Sequence, residues 1–514
     1  MQDQTKNTVK NSVGRAVFVG LSLLLQIGWL WFLAWWVEQY SDLLSWVIRL
    51  LALLVALRVY GKREKNAAIK ITWIVLLLAL PVFGLSLYLL LEVSEATGRL
   101  KRQFTRVHQS LEGHLVQDRD VMARLEKADL AIANQARYIQ RFGPYPMYQN
   151  TDVTFYAQTE EGLAAQKEAL RQAKRFIFME YHAIENSKSF REIEAILVEK
   201  ARQGVEVRLF YDDMGSIGFI NTDFVEEMEE KGIQCRVFNP LMPIPDVFMN
   251  NRDHRKITVI DGWIGFTGGY NLADKYFNIG SPFGHWKDTG VKLTGDGVKS
   301  LTVMFLEMWN TAQETDTHPE QYLQSVPYQA REDGFVQPYG DSPLDQEQVG
   351  ENVYMNLIKN AKRSCFIMTP YLILDDEMNL ELSLAAKRGV DVRIITPGIP
   401  DKKVVYMVTR SYYAGLARNG VRIYEYTPGF SHGKQVVCDS EAATVGTINF
   451  DYRSLYLHFE DGVYLYRCGA VQAVERDFWD TFPLCREVTD AYRGKRSAPL
   501  RIGQCLLRLL APLM

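Results

Sequence analysis

With 514 residues the chain is too long for a single hydrophobic core, so its length predicts two or more domains. A formal net charge of -3 argues against a chain-wide basic surface that neutralises phosphates, so we expect no nucleic-acid partner unless a local basic groove exists. Hydrophobic residues make up an ordinary 47% of the chain, but their excess lies at the N-terminus.

Two apolar stretches near the N-terminus predict membrane-spanning helices. Residues 16–37 contain no charged side chain and, at about 1.5 Å per residue, are long enough to cross a hydrocarbon core of about 30 Å. Residues 71–91 are equally apolar, and Pro81 and Gly84 are tolerated in membrane helices when neighbouring helices satisfy the freed backbone groups. The sequence therefore predicts an N-terminal transmembrane anchor over residues 1–92.

Between these stretches, residues 43–60 form a weaker candidate span, because Arg49 lies near the middle and would need a partner or a short, tilted helix. The anchor is thus predicted to contain two or three helices and to make the chain a multi-pass membrane protein. A cleaved signal peptide is the alternative for the first stretch, but its apolar region is too long and no small-residue cleavage pattern follows.

The side of the membrane that carries the rest of the chain depends on the number of spans. Positive residues before the first stretch and after the middle one favour an in, out, in arrangement; three spans would place the remaining chain outside, and two would return it to the cytoplasm. The six cysteines form no CxxC pair, which favours reduced thiols and a cytoplasmic site. The positive residues concerned are Lys6, Lys10, Arg15, Lys62, Arg63 and Lys65.

The remaining chain shows a connector and then a repeated α/β pattern. Residues 93–145 are polar with scattered apolar positions, which is typical of one or two connecting helices. Buried strands then alternate with amphipathic helices, and "ARQGVEVRLFYDD" returns later as the near copy "AKRGVDVRIITPG". An internal duplication into two α/β domains, residues 146–330 and 331–490, is the economical explanation.

Each half also contains one copy of a polar pattern whose members recur with identical spacing. Residues two apart on a strand share a face, so each histidine and its lysine point the same way, whereas the aspartate has the opposite parity. The two copies are His254, Lys256, Asp261, Gly268 and Asn271, and His432, Lys434, Asp439, Gly446 and Asn449.

The first copy contains an Asp-Gly pair, a strong hairpin signal. A two-residue turn of Asp261 and Gly262 would pair residue 260 with residue 263 and bring the returning strand alongside the histidine. That register places Asn271 just beyond the histidine. We therefore expect the histidine, lysine and asparagine to converge, while Asp261 more plausibly anchors the turn.

An imidazole, an ammonium and an amide, each present twice, suit the chemistry of a phosphodiester. Lysines and asparagines can hold its oxygens while negative charge develops. One histidine can attack phosphorus, and the other, protonated, can donate to the departing alkoxide. A metal site is the rival interpretation of paired histidines. A lysine on the same face repels a cation and no carboxylate cluster compensates, so we expect no metal and no cofactor.

The octets "HRKITVID" and "HGKQVVCD" resemble the twice-repeated HxKxxxxD signature of the phospholipase D superfamily at every fixed position. Within it, "RLFYDDMGS", "GGYNLADKY" and "VGTINFDYRSLYLHFE" resemble membrane-anchored bacterial cardiolipin synthases. The resemblance implies two phospholipase D-like α/β domains, each a mixed sheet flanked by helices, behind the membrane anchor. It also implies that two phosphatidylglycerols are joined into cardiolipin with release of glycerol, through a phosphohistidine formed between the two halves.

The same resemblance supplies site residues, partners and location. Asn271 and Asn449 are expected to bind substrate, and Asp288 and Glu460 are the matching candidates for an acidic partner that orients each histidine. Phosphatidylglycerol and an anionic bilayer are the implied partners, at a bacterial cell membrane. We favour His254 as nucleophile, although the spacing does not decide the order. The catalytic candidates are His254, Lys256, Asp261, His432, Lys434 and Asp439.

The other six histidines are expected to be surface or hydrogen-bonded structural residues. His182, at a strand end, is the one worth testing, and its neighbours Glu180 and Tyr181 fit a substrate pocket or a buried strand terminus equally well. The basic, leucine-rich residues 491–514 favour a helix lying on anionic lipid over one docked on the protein. The six histidines are His108, His114, His182, His285, His318 and His458.

Other functions fit parts of the pattern. The motif specifies only phosphodiester exchange, so a phospholipase D-type hydrolase or another phosphatidyltransferase is the nearest alternative. A nuclease fits poorly with membrane spans and an acidic net charge. A membrane scaffold without turnover is disfavoured, because loss of activity would not spare the histidine, lysine and asparagine of both copies.

Overall fold

The computed structural model of the protein describes residues 2–40, 42–62, 66–92, 95–240, 251–316, 318–324, 328–345, 347–494 and 497–513. Among the sequence features discussed above, Arg63 and Lys65 of the predicted topology signal lie outside the described residues, as do Lys495 and Arg496 of the C-terminal segment.

Four helices form the N-terminal region, and their boundaries revise the predicted spans. Among the described residues, two segments are long and apolar enough to cross a membrane, Ala16–Trp36 and Asp42–Gly61. The second of these covers the stretch that the sequence favoured less. In contrast, residues 71–91 are broken at Leu80 and do not form a continuous span. The helices are α1 (Gln2–Tyr40), α2 (Asp42–Gly61), α3 (Ala67–Ala79) and α4 (Pro81–Glu92).

The break between α3 and α4 has a local cause. Pro81 opens α4 and has no backbone N–H to continue the hydrogen bonding of α3. Gly84 allows close approach, because a Cβ atom there would lie 2.7 Å from the carbonyl oxygen of Leu76. The rings of Trp73 and Tyr88 meet edge to face at 5.4 Å between centroids, whereas a continuous helix would separate them by about 22 Å. The two helices therefore form a hairpin, and the predicted continuous span is wrong.

The connector contains three helices, where one or two were predicted. Asp118 and Asp129 each accept hydrogen bonds from two backbone N–H groups of the following helix, which starts a new helix at each aspartate. The helices are α5 (Glu95–Glu112), α6 (Arg119–Ala128) and α7 (Leu130–Phe142).

The first half of the remaining chain is a mixed sheet flanked by helices, in the strand order β1-β9-β7-β6-β2-β3-β4. Strands β2, β3 and β4 run parallel, and β6 returns antiparallel beside β2. The strands are β1 (Thr151–Tyr156), β2 (Phe176–Tyr181), β3 (Glu206–Asp212), β4 (Gln234–Phe238), β5 (Arg252–Asp253), β6 (Lys256–Ile260), β7 (Ile264–Gly268), β8 (His285–Lys287) and β9 (Gly290–Gly295). The helices are α8 (Thr159–Gln172), α9 (Lys188–Arg202), α10 (Asp213–Ser216), α11 (Phe224–Glu230) and α12 (Val298–Ala312).

The second half repeats this arrangement in the order β10-β17-β16-β15-β11-β12-β13, with β18 added at the edge. The near copies in the sequence occupy equivalent places in the two sheets, so the predicted duplication is confirmed. The strands are β10 (Phe335–Asp341), β11 (Ser364–Met368), β12 (Asp391–Pro397), β13 (Arg422–Tyr426), β14 (Gly429–Ser431), β15 (Gln435–Cys438), β16 (Ala442–Gly446), β17 (His458–Tyr466) and β18 (Cys485–Glu487). The helices are α13 (Val349–Asn360), α14 (Asp376–Lys387), α15 (Lys403–Arg418), α16 (Tyr452–Tyr456), α17 (Gly469–Thr481), α18 (Thr489–Arg493) and α19 (Ala498–Leu510).

Two short strands cross between the halves. Strand β5 of the first half pairs parallel with β17 of the second, and β14 of the second half pairs parallel with β8 of the first. The buried helix α12 packs against strands of both halves, and one hydrophobic core is continuous between them. The strands that lead into the two histidine motifs are therefore held by the opposite half.

The C-terminal helix α19 is docked on the protein, where the sequence favoured a helix lying on lipid. It packs against α15 and α3. The Oγ1 atom of Thr72 in α3 donates a hydrogen bond to the carbonyl oxygen of Leu509 at 2.9 Å. The helix thus connects the second α/β half to the α3–α4 hairpin.

Candidate active site

The two histidine-lysine pairs lie at the junction of the halves, and all four side chains are buried. Nζ of Lys256 donates a hydrogen bond to the carbonyl oxygen of His254 at 2.5 Å. Nζ of Lys434 makes the equivalent bond to the carbonyl oxygen of His432, also at 2.5 Å. The structure thus places each ammonium beside its own histidine, as expected for residues two apart on an extended chain.

Each histidine ring is held by a carboxylate from the opposite half. Nδ1 of His254 lies 2.9 Å from both carboxylate oxygens of Glu460, and Nδ1 of His432 lies 2.5 Å from Oδ2 of Asp288. A neutral ring that donates from Nδ1 keeps its lone pair on Nε2, which is the atom a nucleophile or base needs. The structure therefore brings both predicted carboxylates to the histidine rings.

The exchanged strands account for this crossed arrangement. Asp253 of β5 pairs with Phe459 of β17, so His254 follows directly beside Glu460. The backbone N–H of His254 also donates to the carbonyl oxygen of Phe459 at 2.9 Å. Strands β14 and β8 hold His432 beside Asp288 in the same way. Neither histidine would have its carboxylate in an isolated half.

Burial keeps both imidazoles neutral at neutral pH. Burial, reinforced by the charges of Lys256 and His182, holds the pKa of His254 well below its usual range, and the charge of Lys434 contributes to this. Burial and Lys434 lower the pKa of His432 to about 4, against the opposing effect of Asp288. The two histidines thus lie near enough for each to lower the other's affinity for a proton.

The lysines and Asp288 complete this environment. Burial lowers the pKa of Lys256 to about 8 and that of Lys434 to about 7. Although burial alone would raise it, the charges of His432 and Lys434 hold the pKa of Asp288 below its usual value. An anionic phosphodiester placed between the rings would raise the pKa of each lysine and histidine, because opposite charges stabilise one another. Binding of an anionic substrate therefore favours the protonated forms of these four side chains.

The two predicted asparagines have different surroundings. Oδ1 of Asn271 accepts from the backbone N–H of Ala183 at 3.1 Å, and Nδ2 donates to the hydroxyl of Tyr276 at 2.9 Å. The Tyr276 ring in turn lies 5.5 Å from the ring of His432. Asn449 is buried, and its Oδ1 atom has no hydrogen-bond partner within the described part of the chain. Asn449 is therefore held less firmly by its surroundings than Asn271.

Two histidines that the sequence assigned to structural positions flank His254. The ring of His182 lies 5.0 Å from it and the ring of His458 lies 5.4 Å from it, measured between centroids. His458 shares a face of β17 with Glu460, two residues later, and this parity was a signal that could have found it. His432 is surrounded instead by the aromatic rings of Tyr276, Trp286 and Phe430.

The neighbours of His182 belong to the packing of the first half. Tyr181 is buried, and its hydroxyl lies 3.0 Å from Oγ1 of Thr258 and 2.8 Å from Nε2 of Gln166. Glu180 is fully buried on the other face, and burial raises its pKa well above the usual range. The buried strand terminus is therefore a sufficient explanation for Tyr181.

One group of side chains near the site has the spacing of metal ligands. Nitrogen and oxygen atoms of His254, His458 and Glu460 all lie within 4.8 Å of one another. The carboxylate of Glu460 is, however, already shared between Nδ1 of His254 and the hydroxyl of Thr447 at 2.5 Å. The buried Lys256 contributes a positive charge beside the same ring. These contacts suit a hydrogen-bonded histidine-carboxylate pair better than a divalent cation.

The aspartates of the two motifs are not part of the site, which corrects their place among the catalytic candidates. Asp261 accepts hydrogen bonds from the backbone N–H groups of residues 174, 175 and 176, and Asp439 accepts from those of residues 362, 363 and 364. Five residues of extended chain, roughly 16 Å, separate each aspartate from its lysine. Both aspartates fix the backbone at the far end of the motif strand.

The turn itself differs from the predicted register by one residue. Residue 260 pairs with residue 264 rather than 263, so the loop contains Trp263 as a third residue. Asp261 and Gly262 adopt positive φ angles of 53° and 78°, as expected for an Asp-Gly hairpin. The second copy has the same three-residue loop. The sequence alone could not distinguish a two-residue loop from a three-residue loop, because either loop could begin with Asp261 and Gly262.

We expect Asp261→Ala to lower the stability of the protein without a specific effect on turnover. The substitution leaves three backbone N–H groups without their acceptor, which costs about 2–4 kcal/mol of unfolding free energy. Thermal melting of the purified protein, together with turnover per folded molecule, measures both quantities. Asp490→Ala, at a side chain that is 89% exposed, is the matched control. A fully stable variant without turnover would contradict the structural role.

Comparison with known proteins identifies relatives over most of the chain. The sequence profile described as "Cardiolipin synthase, PLD-like domain" matches residues 167–308 and 354–481, and the profile "Phospholipase_D-nuclease N-terminal" matches residues 48–91. The chain is 34% identical over 452 residues to cardiolipin synthase 2 of Bacillus cereus, which covers 86% of each chain. It is 30% identical over 486 residues to cardiolipin synthase of Halalkalibacterium halodurans, covering 93% of this chain and 95% of the relative.

Two further comparisons extend this result. An uncharacterized protein of Streptococcus mutans is 41% identical over 444 residues, covering 86% of this chain and 96% of the relative. Among solved structures, phosphatidylserine synthase of Haemophilus influenzae aligns with a TM-score of 0.55 at 14% identity, over 74% of this chain and 99% of the solved chain. At that identity the likeness shows a shared fold.

Proposed function

Because the chain belongs to the cardiolipin synthase family of the phospholipase D superfamily, we propose that it joins two phosphatidylglycerol molecules into cardiolipin and releases glycerol. As a member of that family it is a membrane phospholipid phosphatidyltransferase. The observation that carries the specific reaction is the pair of buried histidines, each bonded to a carboxylate of the opposite half. One phosphorus atom between two such rings can be attacked from one side and protonated at its leaving group on the other.

In the first step of the proposed reaction, Nε2 of His254 attacks the phosphorus of one phosphatidylglycerol. A P–N bond forms and the P–O bond to the headgroup glycerol breaks, while His432 as imidazolium gives its proton to the departing oxygen. The lysine ammonium groups balance the charge that develops on the phosphoryl oxygens, and the side-chain NH₂ group of Asn449 can donate a hydrogen bond to one of them. The products of this step are free glycerol and a phosphatidyl group on His254.

In the second step, a headgroup hydroxyl of another phosphatidylglycerol attacks the same phosphorus. His432, now neutral, takes the hydroxyl proton, the P–N bond breaks, and cardiolipin leaves with His254 restored. One observation supports this assignment of roles. The 2.5 Å contact between Nδ1 of His432 and Oδ2 of Asp288 stabilises the imidazolium that a general acid requires.

We also infer a membrane anchor with two spans and a hairpin. Residues 16–36 and 42–61 are long enough to cross a bilayer, whereas each arm of the α3–α4 hairpin is about 20 Å or less. Two spans return the chain to the side of its N-terminus, which the positive residues there place in the cytoplasm. A cysteine added at the N-terminus and one added on α9 should then show the same accessibility to an impermeant thiol reagent in intact cells.

We expect purified full-length protein in neutral detergent with phosphatidylglycerol alone to form cardiolipin and free glycerol in equal amounts. Lipid mass spectrometry and an enzymatic glycerol assay measure the two products, and protein with His432→Ala is the background control. Phosphatidic acid with glycerol, and no cardiolipin, would identify a hydrolase instead. If the protein catalyses no phosphodiester exchange, the result would favour the alternative of a membrane scaffold without turnover.

Chelation is expected to leave this activity unchanged. The positive charge of Lys256 disfavours a divalent cation at His254, His458 and Glu460, so turnover should not depend on a bound metal. The test compares initial rates before and after dialysis against EDTA. A rate that falls with EDTA and returns with added zinc or magnesium would favour a metal site at these three residues.

A further inference from the structure

The helices α15 and α19 enclose a groove that the proposed reaction does not use. It has a volume of about 440 Å³. Its floor is formed by small residues of α15, and the space above the Cα atom of Gly415 is open. Three arginines line it, Arg418 from α15 and Arg501 and Arg508 from α19. None of the described residues that line the groove is a carboxylate, so it carries positive charge that the protein does not neutralise there.

One of the three arginines holds the two helices together, and the other two are available. The Nε atom of Arg508 donates to Oγ of Ser411 at 3.0 Å, its Nη2 atom donates to the carbonyl oxygen of Ser411, and its guanidinium group stacks on Tyr412. Arg418 and Arg501 are exposed, and neither forms an ion pair within the described ranges of the chain. Two free guanidinium groups therefore face a groove that a third arginine has shaped.

Helix α19 has three faces that differ in character: one docked on the protein, one rich in arginine and one apolar and exposed. At about 100° per residue, Leu507 and Ala511 form the face that packs on the protein, and the arginines form the next face. The remaining face presents Ile502 and Leu506, which are 63% and 59% exposed. A cationic stripe between a docked face and an exposed apolar face is typical of a helix at the bilayer interface.

The groove lies between the apolar α3–α4 hairpin and aromatic residues near the reacting site. At one end of the groove, the C-terminal part of α19 contacts α3 of the hairpin. At the other end, the face of α15 that forms the groove continues to Val404 and Met407, which are 49% and 51% exposed. The adjoining Lys402 lies over the ring of Tyr371, which in turn packs near Phe430.

We propose that the groove between α15 and α19 binds the phosphodiester headgroup of an anionic phospholipid in the same bilayer, separately from the lipid that reacts. Guanidinium groups are well suited to phosphate oxygens, and the exposed apolar residues of α19 give the acyl chains a surface to follow. A lipid held there would fix α15, and with it the neighbouring Tyr371 and Phe430 side of the reacting site, at the membrane surface. This role rests on the proposed function, because the orientation serves an enzyme whose substrates are membrane lipids.

Cys505 provides a reporter inside the groove. It is exposed and lines the groove, whereas the cysteines at 235, 365, 438 and 468 are buried and Cys485 is half-buried. The test uses the full-length protein with His254→Ala, so that no lipid is consumed, in a neutral detergent. The rate of maleimide labelling at Cys505, identified by peptide mass spectrometry, is measured with dihexanoyl-phosphatidylglycerol, with dihexanoyl-phosphatidylcholine and with inorganic phosphate.

We expect the anionic lipid to slow labelling at least about fivefold and the choline lipid to leave it unchanged. Arg418→Gln with Arg501→Gln should raise the concentration for half-protection roughly 25-fold, since each interfacial arginine contributes about fivefold. Arg119→Gln with Arg202→Gln removes the same charge from exposed positions elsewhere and should have no effect.

Three results would overturn the proposal. Undiminished protection in the protein lacking Arg418 and Arg501 would show that the groove is not the site. Protection by the choline lipid would show that the charge is not recognised, and equal protection by inorganic phosphate would identify a free-phosphate site. Since the measurement requires no turnover, its failure is distinct from a failure to make cardiolipin.

Discussion

Replacement of either His254 or His432 by alanine should abolish cardiolipin formation, with a loss of at least about 10⁴-fold in turnover. The first substitution removes the atom that bonds to phosphorus. The second removes the group that protonates glycerol and later accepts the proton of the incoming hydroxyl. His182 and His458, whose rings lie 5.0 and 5.4 Å from His254, do not occupy its position beside the Glu460 carboxylate and are not expected to replace it. Lipid mass spectrometry of timed reactions measures the loss.

Several controls make this result specific. His318→Ala removes a histidine that is 76% exposed and should retain full activity. Thermal melting of all variants separates lost chemistry from lost folding. If either buried-histidine variant keeps more than about a hundredth of the activity, the two-histidine mechanism is wrong, because each role is required in every cycle.

A substrate with a good leaving group separates the two roles. A phosphatidyl ester of p-nitrophenol needs no proton at its departing oxygen, so His432→Ala should still release a burst of nitrophenol. His254→Ala should release none, because it lacks the nucleophile. The opposite pattern would reverse the assignment while leaving the shared site intact.

Replacement of a carboxylate partner by its amide should cause the next largest loss, about 10²- to 10⁴-fold in turnover for Glu460→Gln and for Asp288→Asn. Each carboxylate accepts from Nδ1 of a histidine in the other half. An amide can present its NH₂ group instead and favour the tautomer that protonates Nε2, which removes the lone pair needed for attack. Initial rates with phosphatidylglycerol measure the effect.

The same substitutions at exposed carboxylates are the controls for Glu460→Gln and Asp288→Asn. Glu168→Gln, at a side chain that is 64% exposed, and Asp490→Asn should both be neutral. Full activity in Glu460→Gln would show that the observed contact does not orient the ring. A loss that disappears when melting curves are taken into account would assign the carboxylate to stability alone.

Sequence reasoning worked best where chemistry depends on spacing along one strand. The histidine and lysine of each copy share a face because they are two residues apart, and the structure places each ammonium beside its histidine. The parity of Asp261 likewise indicated an anchoring role, and three backbone N–H groups confirm that it fixes the turn. The same rule, applied to His458 and Glu460, would have found a third histidine near the site.

Sequence reasoning failed for the apolar stretch 71–91, which has the composition of a span. Pro81 cannot continue the hydrogen bonding of α3, and the contacts of Gly84 with Leu76 and of Trp73 with Tyr88 close the two helices into a hairpin. Composition measures hydrophobicity along the chain and contains no information on which segments touch.

The sequence by itself determined the duplication, the paired motifs and the family of this protein, because these are properties of order and spacing. Only the tertiary structure decided that each histidine is held by a carboxylate of the opposite half. The physical reason is the exchange of two short strands between the sheets, since their pairing brings together side chains that are 206 and 144 positions apart in the sequence. Backbone hydrogen bonds of this kind leave no periodic signal in the sequence.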